Sequence, residues 1–334
     1  MILVTGPTGR VGEQVIRTLR RLKLDVRSLV RKGSEYFWLN DTGCNYFFGD
    51  LRDELSVRRA TRDMEYLIVC SGVRTESRDN NHTSVTIEGH AKLFEIAKER
   101  GIKRVVLLSC MGVDRGYSVP SFYSRKGAEE LLINSGLEYT ILRAGLHEQH
   151  FLDLALKVRE KGQVYLPGHG NNQINPLNTR DLALMLISCL DQESVKNRTI
   201  EVGGLETMSA MEAFTRACAA VEVEPNSKVL PGPVVTLGSK LRRPVRRFAN
   251  QLNEMNLWFT EDFTVDPETT KSNFNIPFSG FDAGLAPSTQ LMSIRRDPGL
   301  REKHMVHPQF YATVYEPGTA KLEDMPIGPP PRRD

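Results

Sequence analysis

From residue 1 to about residue 145, short apolar runs alternate with stretches in which apolar positions recur every three or four residues. That alternation is the pattern of successive βαβ units built around a parallel sheet. It predicts strands at Ile2–Thr5, Asp25–Val30, Asn45–Phe48, Tyr66–Cys70, Arg104–Ser109 and Glu138–Leu142. Amphipathic helices fall between them, for example Gly12–Leu22 and Val85–Arg100, the second stopping at Gly101. The order of elements is that of an α/β fold with a doubly wound parallel sheet.

Beyond residue 145 the pattern loosens. A polar loop (GHGNNQ, 168–173) is followed by a helix near 180–191, a strand near Thr199–Val202 and a helix near Ala210–Val221. We divide the chain into a core at 1–145, a smaller lobe at 146–296 interleaved with it, and an extended proline-rich arm at 297–334 ending PIGPPPRRD. There is no internal repeat.

Composition excludes several classes. The chain has 334 residues, 40% of them hydrophobic, enough for a full core. No run approaches the roughly 18 consecutive apolar residues of a membrane span, and MILVTG enters a strand without a signal-peptide layout. The expected location is therefore soluble or peripheral to a membrane. Five scattered cysteines, with no CxxC pair, read as thiols in a reducing compartment (cytoplasm, mitochondrial matrix or plastid stroma). A net charge of +3 gives no reason to expect nucleic acid, and no HxxxH, HxxE or clustered carboxylates suggest a metal.

The segment ILVTGPTGRVGEQVI places Gly6, Gly9 and Gly12 directly after a strand and at the opening of a helix. Small residues belong there because the backbone must turn tightly and approach a pyrophosphate, whose charge the helix N-terminus meets. We therefore assign Gly6, Thr8, Gly9, Arg10, Val11 and Gly12 to a dinucleotide cradle. At the end of the second strand, DVRSLVRKGS carries Arg31 and Lys32 where a carboxylate would hold a ribose 2′-hydroxyl. Basic residues suit a 2′-phosphate, which favours NADP, as NADPH, over NAD. Asp50 and Leu51, in GDLRD, would border the adenine, and Ser71 and Gly72 would pass beneath the cofactor.

The pieces TGPTGRVG (5–12), GDLRD (49–53), VTIEGHAKLFEIAKERGIKRVVLLSCMGV (85–113), KGAEELLINSGLEYTILRAG (126–145) and NPLNTRDLALML (175–186) resemble the NmrA-like branch of the atypical short-chain dehydrogenase/reductase family. The resemblance covers roughly residues 1–205 and implies a Rossmann core. The remaining chain is loosely similar to the short-chain-dehydrogenase-like accessory subunit of respiratory complex I and to NmrA-like photosystem assembly factors. In active members a serine after the fifth strand works with a tyrosine and a lysine four residues on. The lysine lowers the phenol pKa and holds the ribose, and the tyrosine transfers the proton. The resemblance puts Ser109 at the serine and Lys126 at the lysine, but Phe122 at the tyrosine. Tyr123, three residues before Lys126, is the remaining phenol, and Lys126 can still serve as a cofactor residue. His147, Glu148, Gln149 and His150 follow LRAG on the substrate side, where a histidine could donate a proton. His169 is a more remote candidate.

The run KLRRPVRRFANQLNEMNLWF (240–259) has five basic residues in its first eight, and Phe248, Leu252 and Met255 share one face if it is helical. It fits an acidic protein partner or an anionic membrane surface. With the arm at 297–334, it is the expected surface for protein partners. The resulting expectation is an NADP(H)-binding protein with a degenerate reductase site, a structural, sensory or assembly subunit of a membrane-associated bioenergetic complex. The alternative is an active NADPH-dependent oxidoreductase of a quinone or enone-type small molecule.

Overall fold

The computed structural model describes residues 1–73, 76–77, 79–116, 119–230 and 243–285, with backbone alone at 243–249. Six parallel strands form the first part of the sheet: β1 (Ile2–Thr5), β2 (Val26–Val30), β3 (Asn45–Phe48), β4 (Tyr66–Val69), β5 (Arg104–Cys110) and β6 (Tyr139–Ala144). Two short strands, β7 (Val164–Leu166) and β8 (Gln173–Ile174), leave for the smaller lobe, and β9 (Arg198–Val202) returns beside β6. The seven-stranded order is β3-β2-β1-β4-β5-β6-β9. Strand order reverses between β1 and β4, where sheets of this kind open a crevice at their carboxyl ends. All four residues of β1 are buried, as a strand covered on both faces requires.

One face of the sheet is covered by α1 (Arg10–Arg21) and α6 (Thr179–Ser188), whose Val15, Ile16, Leu182 and Leu186 share a core. The other face carries α2 (Glu54–Ala60), α3 (His90–Glu99) and α4 (Pro120–Ile133). A third apolar cluster fills the smaller lobe. It joins α5 (Glu148–Lys161), α7 (Ala210–Ala220) and α8 (Arg243–Thr260), with β10 (Met208–Ser209) and β11 (Ser227–Val229) pairing to β8 and β7. The chain then passes through α9 (Pro267–Asn273) to residues 281–285. Within 146–296, therefore, α6 and β9 belong to the sheet layer, and most of the other described elements build the lobe.

Several element ends shift by one or two residues from the sequence reading, and two departures bear on the site. The helix expected at Val85–Arg100 is preceded by a π-helical turn, His82–Gly89, fixed by a reciprocal cap between Asn81 and Ser84. Such turns interrupt helices frequently at functional sites. The strand expected to end at Leu142 continues to Ala144, because Arg143 is held by the buried Glu129 carboxylate and Ala144 pairs with Val202. Residues 240–242 and 297–334, on which the expected partner surfaces partly rest, lie outside the described residues, as do the side chains at 243–249.

Candidate functional site

At the β1–α1 turn, Gly6 has φ +69°, and a Cβ there would sit 2.6 Å from the carbonyl of Cys70 and the amide of Ser71. A Cβ at Gly12 would lie 2.1 Å from the Gly6 oxygen. The turn thus closes against β4 only with glycine at both places. Gly9 caps α1 with no side chain, leaving the first-turn amides, which have no intrahelical partner, open to an anion. These are the features a dinucleotide pyrophosphate needs, and the residues present fit one. Val11 reaches a cavity over the carboxyl ends of β4, β5 and β6, but Arg10 turns away: its guanidinium bonds the Gln149 carbonyl at 2.7 Å and pairs with Asp153 on α5.

Beyond β2 and β3, Arg31 and Lys32 are exposed, and Arg31 donates to Asn80. Asp50 accepts from Arg52 at 2.6 and 2.9 Å. The Arg52 guanidinium holds the Asp50 carboxyl below its ordinary range, with a lesser contribution from the charge of Arg31. Two guanidiniums, Arg31 and Arg52, therefore act on Asp50 at the place where a ribose substituent would lie. Arg52 was not singled out from the sequence, although it stands in the GDLRD segment. Leu51 is buried against Gly89.

Ser71 and Gly72 line a cavity of about 170 Å³ over the carboxyl ends of β4, β5 and β6. The Ser71 hydroxyl lies 2.9 Å from both Thr5 Oγ1 and His90 Nε2. Burial pushes the His90 imidazole down to about 4, so it is neutral, and its Nδ1 has no partner among the described residues. Neither Thr5 nor His90 carries a sequence signal beyond its place in the fold.

The reductase constellation is where structure and sequence diverge. Ser109 borders the cavity, but its hydroxyl donates to the fully buried Glu129 carboxylate at 2.5 Å. Tyr123, considered as a proton donor, is 79% exposed and does not line the cavity. Lys126 does not line it either, and its ammonium lies 3.7 Å from Glu130 on the same helix. The face of α4 turned inward carries Ser124, Arg125 and Ala128. The four-residue step there is Ser121 to Arg125, one residue earlier than Phe122 to Lys126. Both residues meet α8: Ser121 donates to Glu254 at 2.6 Å, and Arg125 lies 3.6 Å from the other Glu254 oxygen. The rotation follows from Phe122, which is 1% exposed and packs edge-on against Trp258 of α8 at 5.8 Å between ring centres.

Among the four residues after LRAG, His147 and His150 line the cavity with ring centres 4.0 Å apart. Glu148 instead accepts from the backbone and hydroxyl of Thr179, at 2.9 and 2.5 Å, and Gln149 is buried. His169 is exposed and outside the cavity. His82, the first residue of the π-helical turn, lies 3.3 Å from Ser124 Oγ. No group of three or more potential metal ligands occurs among the described residues.

An all-parallel doubly wound sheet with a glycine cradle at its switch point defines a nucleotide-binding protein of the Rossmann class. The chain belongs to the NAD(P)H-binding family, whose model matches residues 6–193. It is 27% identical over 220 residues to an NAD(P)H azoreductase of Xenophilus azovorans, covering 66% of this chain and 73% of that protein. It is 25% identical over 293 residues to the photosystem II assembly factor Ycf39 of Trieres chinensis, covering 87% of this chain and 90% of the relative. The fold matches the Escherichia coli NADPH-dependent quinone oxidoreductase QOR2 in complex with NADPH. The TM-score is 0.67 at 19% identity, covering 88% of this chain and all of that one. The chain is thus similar to assembly factors and to reductases alike. No helix among the described residues is long and apolar enough to cross a membrane.

Proposed function

We propose that this protein binds NADP(H) as a structural or sensory ligand and acts as an assembly or accessory subunit of a membrane-associated bioenergetic complex. The observation that carries this reading is an intact cradle beside a cavity with no phenol among its described lining residues. Ser121 occupies the place four residues before the inward-facing Arg125, and an aliphatic hydroxyl held by Glu254 is a poor substitute for an activated phenol. The long match to Ycf39 supports the same reading. Arg31, Lys32 and Arg52 support the 2′-phosphorylated nucleotide, since Asp50, the carboxylate just past β3, is already paired with Arg52. Partners would dock through 240–259 and 297–334, and the basic run would favour an anionic membrane surface in a plastid or mitochondrion.

A bound NADPH would supply a hydride, which is the cofactor's own chemistry. This chain's part would be to orient it with the β1–α1 turn and to shield it with Trp258 and the apolar cavity walls. A second reading, reduction of a quinone or azo compound, is favoured by His147 and His150, which face the cavity and could return a proton. Mass spectrometry of nucleotide retained by the purified protein, together with NADPH oxidation against a quinone, azo-dye and enone panel, separates the two. Retained nucleotide without turnover is the expected result. Turnover abolished by His147→Phe or His150→Phe would replace it with the second reading.

A further inference from the structure

The two edges of the sheet are finished differently. At one, the chain folds back over β9: α9 lies against it, the Gly203 amide donates to Thr270 Oγ1 at 3.4 Å, and Gln192 donates to the Asn273 carbonyl at 2.7 Å. At the other, β3, with the sequence NYFF, pairs among the described residues with β2 alone. An open edge offers a row of unpaired amides and carbonyls, which proteins usually blunt with lysine, proline or a bulge. β3 has none of these.

Apolar side chains gather along this edge on both faces of the sheet. On the face that carries α1, Tyr36, Phe37, Tyr46 and Phe48 form one group of rings. The Tyr36 ring centre lies 4.7 Å from that of Phe37, 4.9 Å from Phe48 and 5.5 Å from Tyr46. Phe37 is nevertheless 59% exposed and Phe48 41%. On the opposite face, the first turn of α2 leaves Leu55 62% exposed. Large apolar groups left in water beside an open strand mark an interaction surface.

The charges on α2 indicate what covers it. Asp53 and Glu54 make its start acidic, and Arg58 and Arg59 make its last turn basic. Two copies of β3 paired antiparallel continue one sheet across a two-fold axis normal to it. That axis keeps both copies of α2 on the same face and runs them antiparallel. Because α2 packs over β2, the two helices stand three strand spacings apart, about 14 Å, a gap that arginine and glutamate side chains span together. The acidic start of each helix then meets the basic end of the other, and the rings on the opposite face meet their own counterparts. A single patch is therefore complementary to itself.

We propose that the β3 edge is a self-association surface, where a second copy of this chain pairs β3 antiparallel with β3, packs its Phe37 and Phe48 against the same residues, and sets Glu54 opposite the partner's Arg59. None of these residues lines the cavity or forms the cradle, so the nucleotide reading stands or falls without this surface.

Sedimentation equilibrium of the full chain tests it. The wild type should show a monomer–dimer equilibrium in the micromolar range. Glu54→Arg and Arg59→Glu should each weaken self-association about tenfold, because each sets like charges opposite one another twice across the axis. An equimolar mixture of the two variants should recover it, since each then supplies the charge the other lacks. Phe48→Lys, which places a charge on the open edge, should abolish the dimer. A wild type that stays monomeric at high-micromolar concentration would overturn the proposal and leave the edge to a different protein. So would a Phe48→Lys variant that dimerises as the wild type does, or a mixture that associates no better than its components alone. The wild-type measurement remains decisive if a variant fails to fold.

Discussion

Ser109 donates its hydroxyl to Glu129 at 2.5 Å, and the same carboxylate, wholly buried, is gripped by Arg143 at 2.8 Å. The serine at the end of β5 is therefore a structural partner to a buried ion pair that ties β5, β6 and α4 together. Breaking such a pair leaves an uncompensated charge inside the protein. Arg143→Met should cost about 3–5 kcal/mol, and Ser109→Ala about 1–2 kcal/mol, in urea unfolding. A loss in Arg143→Met no larger than in Ser109→Ala would show that the pair does not bear on stability.

Gly12→Ala tests the cradle. The added carbon would meet the Gly6 oxygen at 2.1 Å, backbone against backbone, where no flexible side chain can give way. We expect a loss of about 1–3 kcal/mol from overpacking, together with loss of nucleotide binding in a fluorescence titration. Unchanged binding would mean that the turn is not the pyrophosphate site.

Arg52→Ser tests the choice of nucleotide. Arg52 lies beside Asp50, on which the charge of Arg31 also acts. Its loss should weaken NADPH about tenfold through one fewer charge-assisted contact, and NADH far less. Equal loss for both nucleotides would remove the basis for a 2′-phosphate preference.

Glu148 and His90 predict a pH dependence with opposing signs. Burial pushes the Glu148 carboxyl up to about 7, so the folded state holds a proton that the unfolded chain releases near 4.5. Its contribution to stability is complete below 4.5 and is lost as the pH rises through 7. His90, pushed down to about 4 from 6.5, does the reverse: its contribution is complete above 6.5 and is lost as the pH falls through 4. Glu148→Gln removes the first effect alone. Its stability relative to wild type should rise between pH 5 and pH 8 by about 1–3 kcal/mol, followed by urea midpoints. A difference independent of pH would contradict the assignment.

Tyr123→Phe should leave both stability and any NADPH oxidation unchanged, within about 0.5 kcal/mol in unfolding, because its ring is 79% exposed. Any turnover that disappears with this hydroxyl would require the ring to swing into the cavity.

Much of the fold was legible in the sequence because it rests on local signals. A strand buried on both faces reads as an unbroken apolar run, as Ile2–Thr5 does, and both it and the edge strand Asn45–Phe48 have in the structure the bounds their sequence predicts. The three glycines of the cradle were legible for the same reason: the steric demand of the turn falls on residues within seven positions of one another. The π-helical turn at His82–Gly89 left no comparable mark, since its reciprocal Asn81–Ser84 cap resembles any helix start.

By itself, then, the sequence determined the doubly wound sheet, the position of the cradle and the basic end of β2, all matters of short-range periodicity and backbone sterics. Tertiary structure decided which face of α4 meets the cavity. A helix turns about 100° per residue, so a shift of one position exchanges Phe122 and Lys126 for Ser121 and Arg125. What sets that rotation is Phe122 buried against Trp258 and Ser121 bonded to Glu254, contacts with residues more than 130 positions away. No local pattern encodes them, because the helix that supplies them arrives only when the smaller lobe folds back over the sheet.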